Sequence, residues 1–176
     1  MTRRFDAVLL DRDGTINVKA PDGEYITAPE QLRLLPGAAE GILMLNRAGV
    51  PVVVVTNQRG IALGRMDEAD LAAVHSRLHQ LLDDHDARVD GIFHCPHDKG
   101  TCDCRKPGTL MLRRARDSLG LTTLRHCVMI GDSSTDIEAG RRAGARTVLL
   151  RGGEVAAQRV GVAPTLLDAV RRELAA

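Results

Sequence analysis

Aromatic residues are scarce in this 176-residue chain, which has no tryptophan, one tyrosine and two phenylalanines. Phe5, Tyr25 and Phe93 are too few for the stacking platforms on which single-stranded nucleic acids are bound. Charge of one sign is lacking too. With 24 basic against 23 acidic side chains the formal net charge is +1, so no global field draws the chain to nucleic acid or to an anionic membrane. Any anionic ligand must be held by local charges. The opening stretch MTRRFDAVLLDRD has an arginine pair but only a short apolar run, too short for a signal peptide or a membrane span, so a cytoplasmic protein is expected. Neither a Walker A pattern nor G-x-G-x-x-G occurs, and no nucleotide cofactor is implied.

The 44% of hydrophobic residues is that of an ordinary globular protein, and the length suits one core, hence a single domain over 1–176. Short apolar runs alternate with longer helical patterns. Strands are expected at 5–10, 50–57, 91–95, 126–132 and 145–150, and helices at 37–48, 67–85, 108–119, 134–143 and 165–174. Val52 to Val55 does not alternate with polar residues, the mark of a strand buried on both faces. In the 67–85 helix, Leu71, Val74, Leu78, Leu81 and Leu82 recur at helical spacing. The fold class is therefore α/β, a Rossmann-like parallel sheet with helices on both faces. The irregular stretch at about 14–35 is a candidate substrate loop or lid.

Acidic residues fall where such folds bind ligands, at the carboxyl ends of strands. LLDRDGTIN delivers Asp11 and Asp13 after the first strand, with Gly14 and Thr15 in the turn. Asp-Gly is also ordinary turn chemistry. Read functionally, Asp11 is a nucleophile toward phosphorus and Asp13 an acid/base. VVVVTNQRG ends its strand at Thr56, with Asn57, Gln58 and Arg59 in the loop, suited to a phosphoryl oxygen but also to a plain turn. In VMIGDSSTDIEAG, Thr135 and Glu138 have capping-box spacing, which leaves Asp132 unexplained. Asp132 beside Asp11 and Asp13 makes an oxygen-rich site for Mg²⁺.

Three of the four cysteines lie with a histidine in CPHDKGTCDCRKP. Cys95, His97, Cys102 and Cys104 have the ligand types and spacing of a closed structural zinc site, with no position left open for water. The clamp abuts Arg105 and Lys106; a lysine at such a position is commonly a solvated surface side chain, but one tethered to the clamp is free to aim its ammonium at a phosphate.

Taken together, DRDGT, the threonine after the second strand, the lysine beside Pro107 and GDSSTD resemble the four motifs of the haloacid dehalogenase (HAD) superfamily of phosphotransferases. With the zinc segment, the chain resembles the group that contains D-glycero-D-manno-heptose 1,7-bisphosphate phosphatases and histidinol-phosphate phosphatases. That resemblance implies a HAD-like domain without a large cap, a zinc-ordered loop, Mg²⁺ and an aspartyl-phosphate intermediate. It makes Asp11 the nucleophile and a Mg²⁺ ligand, and Asp13 the acid/base, binding metal through its backbone carbonyl. Thr56 and Lys106 hold the phosphoryl group, Asp132 is the third Mg²⁺ ligand, Asp136 supports, and Arg105 reads the rest of the substrate, with Asn57, Gln58 and Arg59 lining the same loop. TNQRGIALGR resembles the heptose enzymes, whereas the four residues between His97 and Cys102 are nearer the histidinol type. A monomer acting on a small phosphorylated metabolite, with the heptose bisphosphate favoured, is the expectation.

Two other classes compete. A receiver domain also uses strand-end acids, a threonine and a lysine, but carries its acceptor on a middle strand and needs no zinc. A non-enzymatic zinc module that binds nucleic acid is disfavoured by neutral charge and scarce aromatics.

Overall fold

The valines of Val52–Asn57 are each buried, and they divide by parity. Val52 and Val54 enter the core on one face of a sheet, Val53 and Val55 the core on the other, as the two-residue period of a strand requires. Each fully buried valine contributes about 1.5–3 kcal/mol relative to exposure, so a continuous apolar run is stable only in the middle layer. The computed structural model describes residues 5–150 and 161–175, and places this strand as β2 of such a layer.

The strands are β1 (Ala7–Leu10), β2, β3 (Gly91–Cys95), β4 (Cys127–Gly131), β5 (Arg146–Leu150) and β6 (Gly161–Ala163). They pair in the order β3-β2-β1-β4-β5-β6, and every pairing is parallel. The helices are α1 (Ala38–Arg47), α2 (Glu68–Asp83), α3 (Leu110–Ser118), α4 (Ser134–Arg142) and α5 (Leu166–Ala175). One core joins α1, α2 and α5 to the face carrying Val8, Leu10 and Ile130. The other joins α3 and α4 to the face carrying Leu9, Val55 and Met129. The expected α/β architecture with helices on both faces is thus observed.

Elements expected from the sequence match these within about two residues. β6 was not expected, because three residues give no readable pattern. It extends the sheet beyond β5, with Val148 opposite Gly161. At α4 the capping pair is not Thr135 with Glu138. Ser133 is the N-cap, in extended backbone, and Asp136 is its partner at N3, while Glu138 pairs with Arg142 at 2.8 Å. The helix begins at Ser134, one residue before Thr135, so Thr135 lies inside the first turn. The arginine pair and parts of the 1–176 domain span (1–4, 151–160 and 176) lie outside the described residues. Among the described residues no helix is long and apolar enough to cross a membrane.

Candidate active site

The strand order reverses between β1 and β4, the point at whose carboxyl ends open α/β sheets bind their ligands. Asp11 leaves β1 with its N–H donating to the Ile130 carbonyl of β4 at 3.0 Å. Asp132 follows β4 directly. The chain after Asp11 turns at once, its return fixed by Ile16 N–H to the Arg12 carbonyl at 2.8 Å and Gly14 N–H to the Asn17 carbonyl at 2.8 Å. Gly14 has φ +89°, and a β-carbon there would collide with the Asp132 carboxylate. Glycine is therefore what lets the two acidic loops meet.

Lys106 is 3% exposed. Its ammonium lies 2.7 Å from Asp11 Oδ1, 2.7 Å from the Val55 carbonyl and 2.7 Å from Asp136 Oδ1. The last is an ion pair outside hydrogen-bond geometry. Asn57 holds the lysine's backbone from both sides, its Oδ1 accepting from Lys106 N–H at 2.9 Å and its Nδ2 donating to the Lys106 carbonyl at 3.2 Å. Burial, then the Asp136 charge, push Asp11 up to about 7 against the pull of Lys106. Burial alone would lower Lys106, but the charges of Asp11 and Asp136 outweigh it and raise it. Asp132 is raised by burial and by Asp136.

Asp11, Asp132 and Asp136 bring their oxygens within 4.8 Å of one another. Hard oxygen donors on two buried carboxylates and the half-buried Asp132, with Asp136 Oδ1 lacking a hydrogen-bond partner, fit Mg²⁺. The grouping differs from the expected Asp11, Asp13 and Asp132 in that the Asp13 side chain is held elsewhere. Its Oδ1 accepts from Arg12 Nη2 and Asn17 Nδ2, both at 3.0 Å, and its Oδ2 from Arg12 Nη2 at 3.0 Å and Gln58 Nε2 at 2.9 Å. Burial would raise Asp13, but the Arg12 charge and these hydrogen bonds hold it below the usual carboxylate range. Arg12 and Asn17, both fully buried, were not singled out from the sequence, since an arginine inside an Asp-rich turn reads as a solvated side chain.

The zinc-type cluster is also assembled. Cys95 Sγ lies 3.5 Å from Cys102 Sγ and 3.2 Å from Cys104 Sγ, Cys102 and Cys104 are 3.3 Å apart, and His97 Nδ1 is 3.1 Å from Cys104 Sγ. All four cysteines of the chain are free thiols. Zinc with Zn–S of about 2.3 Å has S–S tetrahedron edges of about 3.8 Å, within a few tenths of an ångström of these sulfur separations, so the donors fit that ion. The loop after β2 is fastened to this segment: Gln58 N–H donates to the Cys95 carbonyl at 2.8 Å, Ala62 N–H to the Pro96 carbonyl at 3.1 Å, and Arg59 Nε to Asp98 Oδ1 at 2.5 Å. Arg59 therefore meets the loop that carries the cysteine–histidine cluster.

Two cavities flank Asn57. One of about 780 Å³ is bordered by Lys99, Arg105, Lys106, Arg113 and Arg142. A smaller one of about 210 Å³ lies between Asp13, Gln58 and residues Lys19 to Ile26, which places part of the 14–35 stretch against the site. Arg105 borders the larger cavity, and its Nη1 is out of solvent without a partner.

Over 149 residues, covering 84% of this chain and 82% of the relative, the sequence is 41% identical to a D-glycero-beta-D-manno-heptose-1,7-bisphosphate 7-phosphatase of Pseudomonas aeruginosa. The chain belongs to this family of HAD-like hydrolases. Its Vibrio cholerae member is 36% identical over 175 residues, 94% of this chain and 92% of the relative. The HAD-hydrolase-like family model matches residues 103–175. A crystal structure of the D,D-heptose 1,7-bisphosphate phosphatase from B. bronchiseptica, complexed with magnesium and phosphate, superimposes with a TM-score of 0.90 at 31% identity, covering 97% of this chain and 98% of that one. The HAD-like family, reached from four motifs in the sequence, and the HAD-like fold are thereby both established.

Proposed function

We propose that this chain removes the 7-phosphate of D-glycero-D-manno-heptose 1,7-bisphosphate in the cytoplasm through an aspartyl-phosphate intermediate. The observation that carries the reading is Lys106 locked at 2.7 Å between Asp11 and Asp136, in a chain whose family members bear that activity in their names. Lys106 fixes one oxygen of Asp11, so the carboxylate meets phosphorus in a set orientation. Asp11 attacks, the bond from phosphorus to the C7 oxygen breaks, and Asp13 gives that oxygen its proton. Asp13 then takes a proton from water, whose oxygen attacks the aspartyl phosphate, freeing inorganic phosphate and restoring Asp11. In the free protein Asp13 is held ionised. A phosphate dianion beside it opposes that hold and favours the protonated acid.

Thr56 and Lys106 hold the phosphoryl group, and Arg105 pairs with the second phosphate. Asp11, Asp132 and the Asp13 carbonyl would hold Mg²⁺, with Asp136 supporting. When bound, Mg²⁺ supplies the positive charge that lets a carboxylate approach a phosphate dianion. Cys95, His97, Cys102 and Cys104 would hold a structural zinc that fixes the entrance. The competing substrate is L-histidinol phosphate. Purified protein with Mg²⁺ is offered both compounds and a generic phosphate ester. The bisphosphate is expected to be turned over fastest, and Asp11→Asn to abolish the reaction. Equal rates on the bisphosphate and the generic ester would sink the substrate assignment.

A further inference from the structure

Gln58 stands at the start of a loop, yet only 2% of it is exposed. Its amide nitrogen donates to Asp13 Oδ2 at 2.9 Å and to Thr56 Oγ1 at 2.9 Å. A side-chain amide has two N–H donors, so both are spent on protein. The two acceptors come from different strands, Asp13 from the turn after β1 and Thr56 from the end of β2. Gln58 is therefore a crosslink between the strand ends on which a phosphoryl group would be handled.

The bond to Thr56 has a directional result. An oxygen that accepts from Gln58 turns its own proton elsewhere, and among the described residues the Thr56 hydroxyl makes no other hydrogen bond. Its proton is left for a ligand. At Asp13, Gln58 secures Oδ2 while Asn17 secures Oδ1, so the carboxylate plane is fixed from opposite sides.

We propose that Gln58 is a positioning residue, one amide that orients the Asp13 carboxylate and turns the Thr56 hydroxyl toward the phosphoryl group. The proposal rests on the roles given above to Asp13 and Thr56. It replaces the direct substrate contact that the loop position suggests. Gln58 backbone N–H, tied to Cys95, also anchors this crosslink to the zinc segment.

The test is a pair of double-mutant cycles on p-nitrophenyl phosphate with Mg²⁺, a substrate that does not depend on which sugar is natural. Gln58→Met keeps the volume and removes the donors. It is expected to lower kcat about 10- to 100-fold with KM unchanged within about twofold. In Asp13→Ala and in Thr56→Val backgrounds its cost should shrink at least about threefold, since it acts through those groups. An equal cost in all three backgrounds, or full turnover by Gln58→Met beside a crippled Asp13→Ala, overturns the proposal alone. Full turnover by Asp13→Ala overturns the underlying acid/base reading as well. Should Gln58→Met lack native far-ultraviolet circular dichroism, Gln58→Glu, which keeps the shape and loses the donors, is read through the same cycles.

Discussion

The Arg12 guanidinium, wholly shielded from solvent, grips the Asp13 carboxylate with Nη2 3.0 Å from both oxygens and Nε 3.3 Å from one. Neighbours in sequence thus form an ion pair inside the turn, and the turn after β1 is rigid because its own side chains brace it. Removing one partner of a buried pair typically costs about 3–5 kcal/mol, but Asp13 retains about a fifth of its side-chain exposure, 22%, and keeps Asn17 and Gln58. Arg12→Met should therefore lose about 2–4 kcal/mol in urea unfolding and slow turnover. A loss under about 0.5 kcal/mol would show that the pair braces nothing.

Gly14→Ala tests the meeting of the two acidic loops. The left-handed backbone at φ +89° costs a residue with a β-carbon about 1–2 kcal/mol. The added methyl also displaces the Asp132 carboxylate. The Mg²⁺ concentration for half-maximal activity should accordingly rise at least about tenfold, since one ligand is moved. An unchanged Mg²⁺ dependence would remove Asp132 from the metal site.

Much of this site is legible in sequence because its parts obey local rules. Asp11 and Asp132 stand directly after apolar runs, and a parallel sheet collects strand ends on one edge. The cysteine spacing is likewise a local pattern. What was not legible depends on three-dimensional closure. Arg12 turns inward onto the Asp13 carboxylate, a choice of direction that no periodicity reveals. Gln58 is spent on Asp13, 45 residues away in sequence. Asp136 serves two ends at once: its Oδ2 accepts from Ser133 N–H at 3.1 Å and from the Ser133 hydroxyl at 2.7 Å, while Oδ1 faces Lys106. Read alone, it is a helix cap.

The zinc segment is tested through Cys102→Ser. Cys102 is half-buried, so the substitution costs little packing, but serine is a poor zinc ligand. Zinc content by mass spectrometry should drop well below that of the native protein. Turnover should fall about tenfold or more, because Lys106 lies two residues beyond Cys104 and a 1 Å misplacement can cost about a hundredfold. Full activity in zinc-free protein would show that Asn57, Asp11 and the Val55 carbonyl secure Lys106 without the metal.

Acid stability should carry the signature of His75. Burial first, then the Arg12 charge and those of His94 and His79, depress it to about 3 against the opposing pull of Asp13. Its Nε2 is buried without a partner, and the ring lies 6.0 Å from that of His94. In the unfolded chain a histidine titrates at about 6.5. Between these values the unfolded state binds the proton and the folded state does not, so this contribution to stability is present above about 6.5 and lost as pH falls toward 3. From pH 7 to 5.5 the loss amounts to about 1 kcal/mol. His75→Gln, which does not titrate, should lose correspondingly less in urea unfolding at the two pH values. An identical pH slope in the variant would mean that His75 titrates in the folded protein as it does in the unfolded chain, and that burial does not depress it.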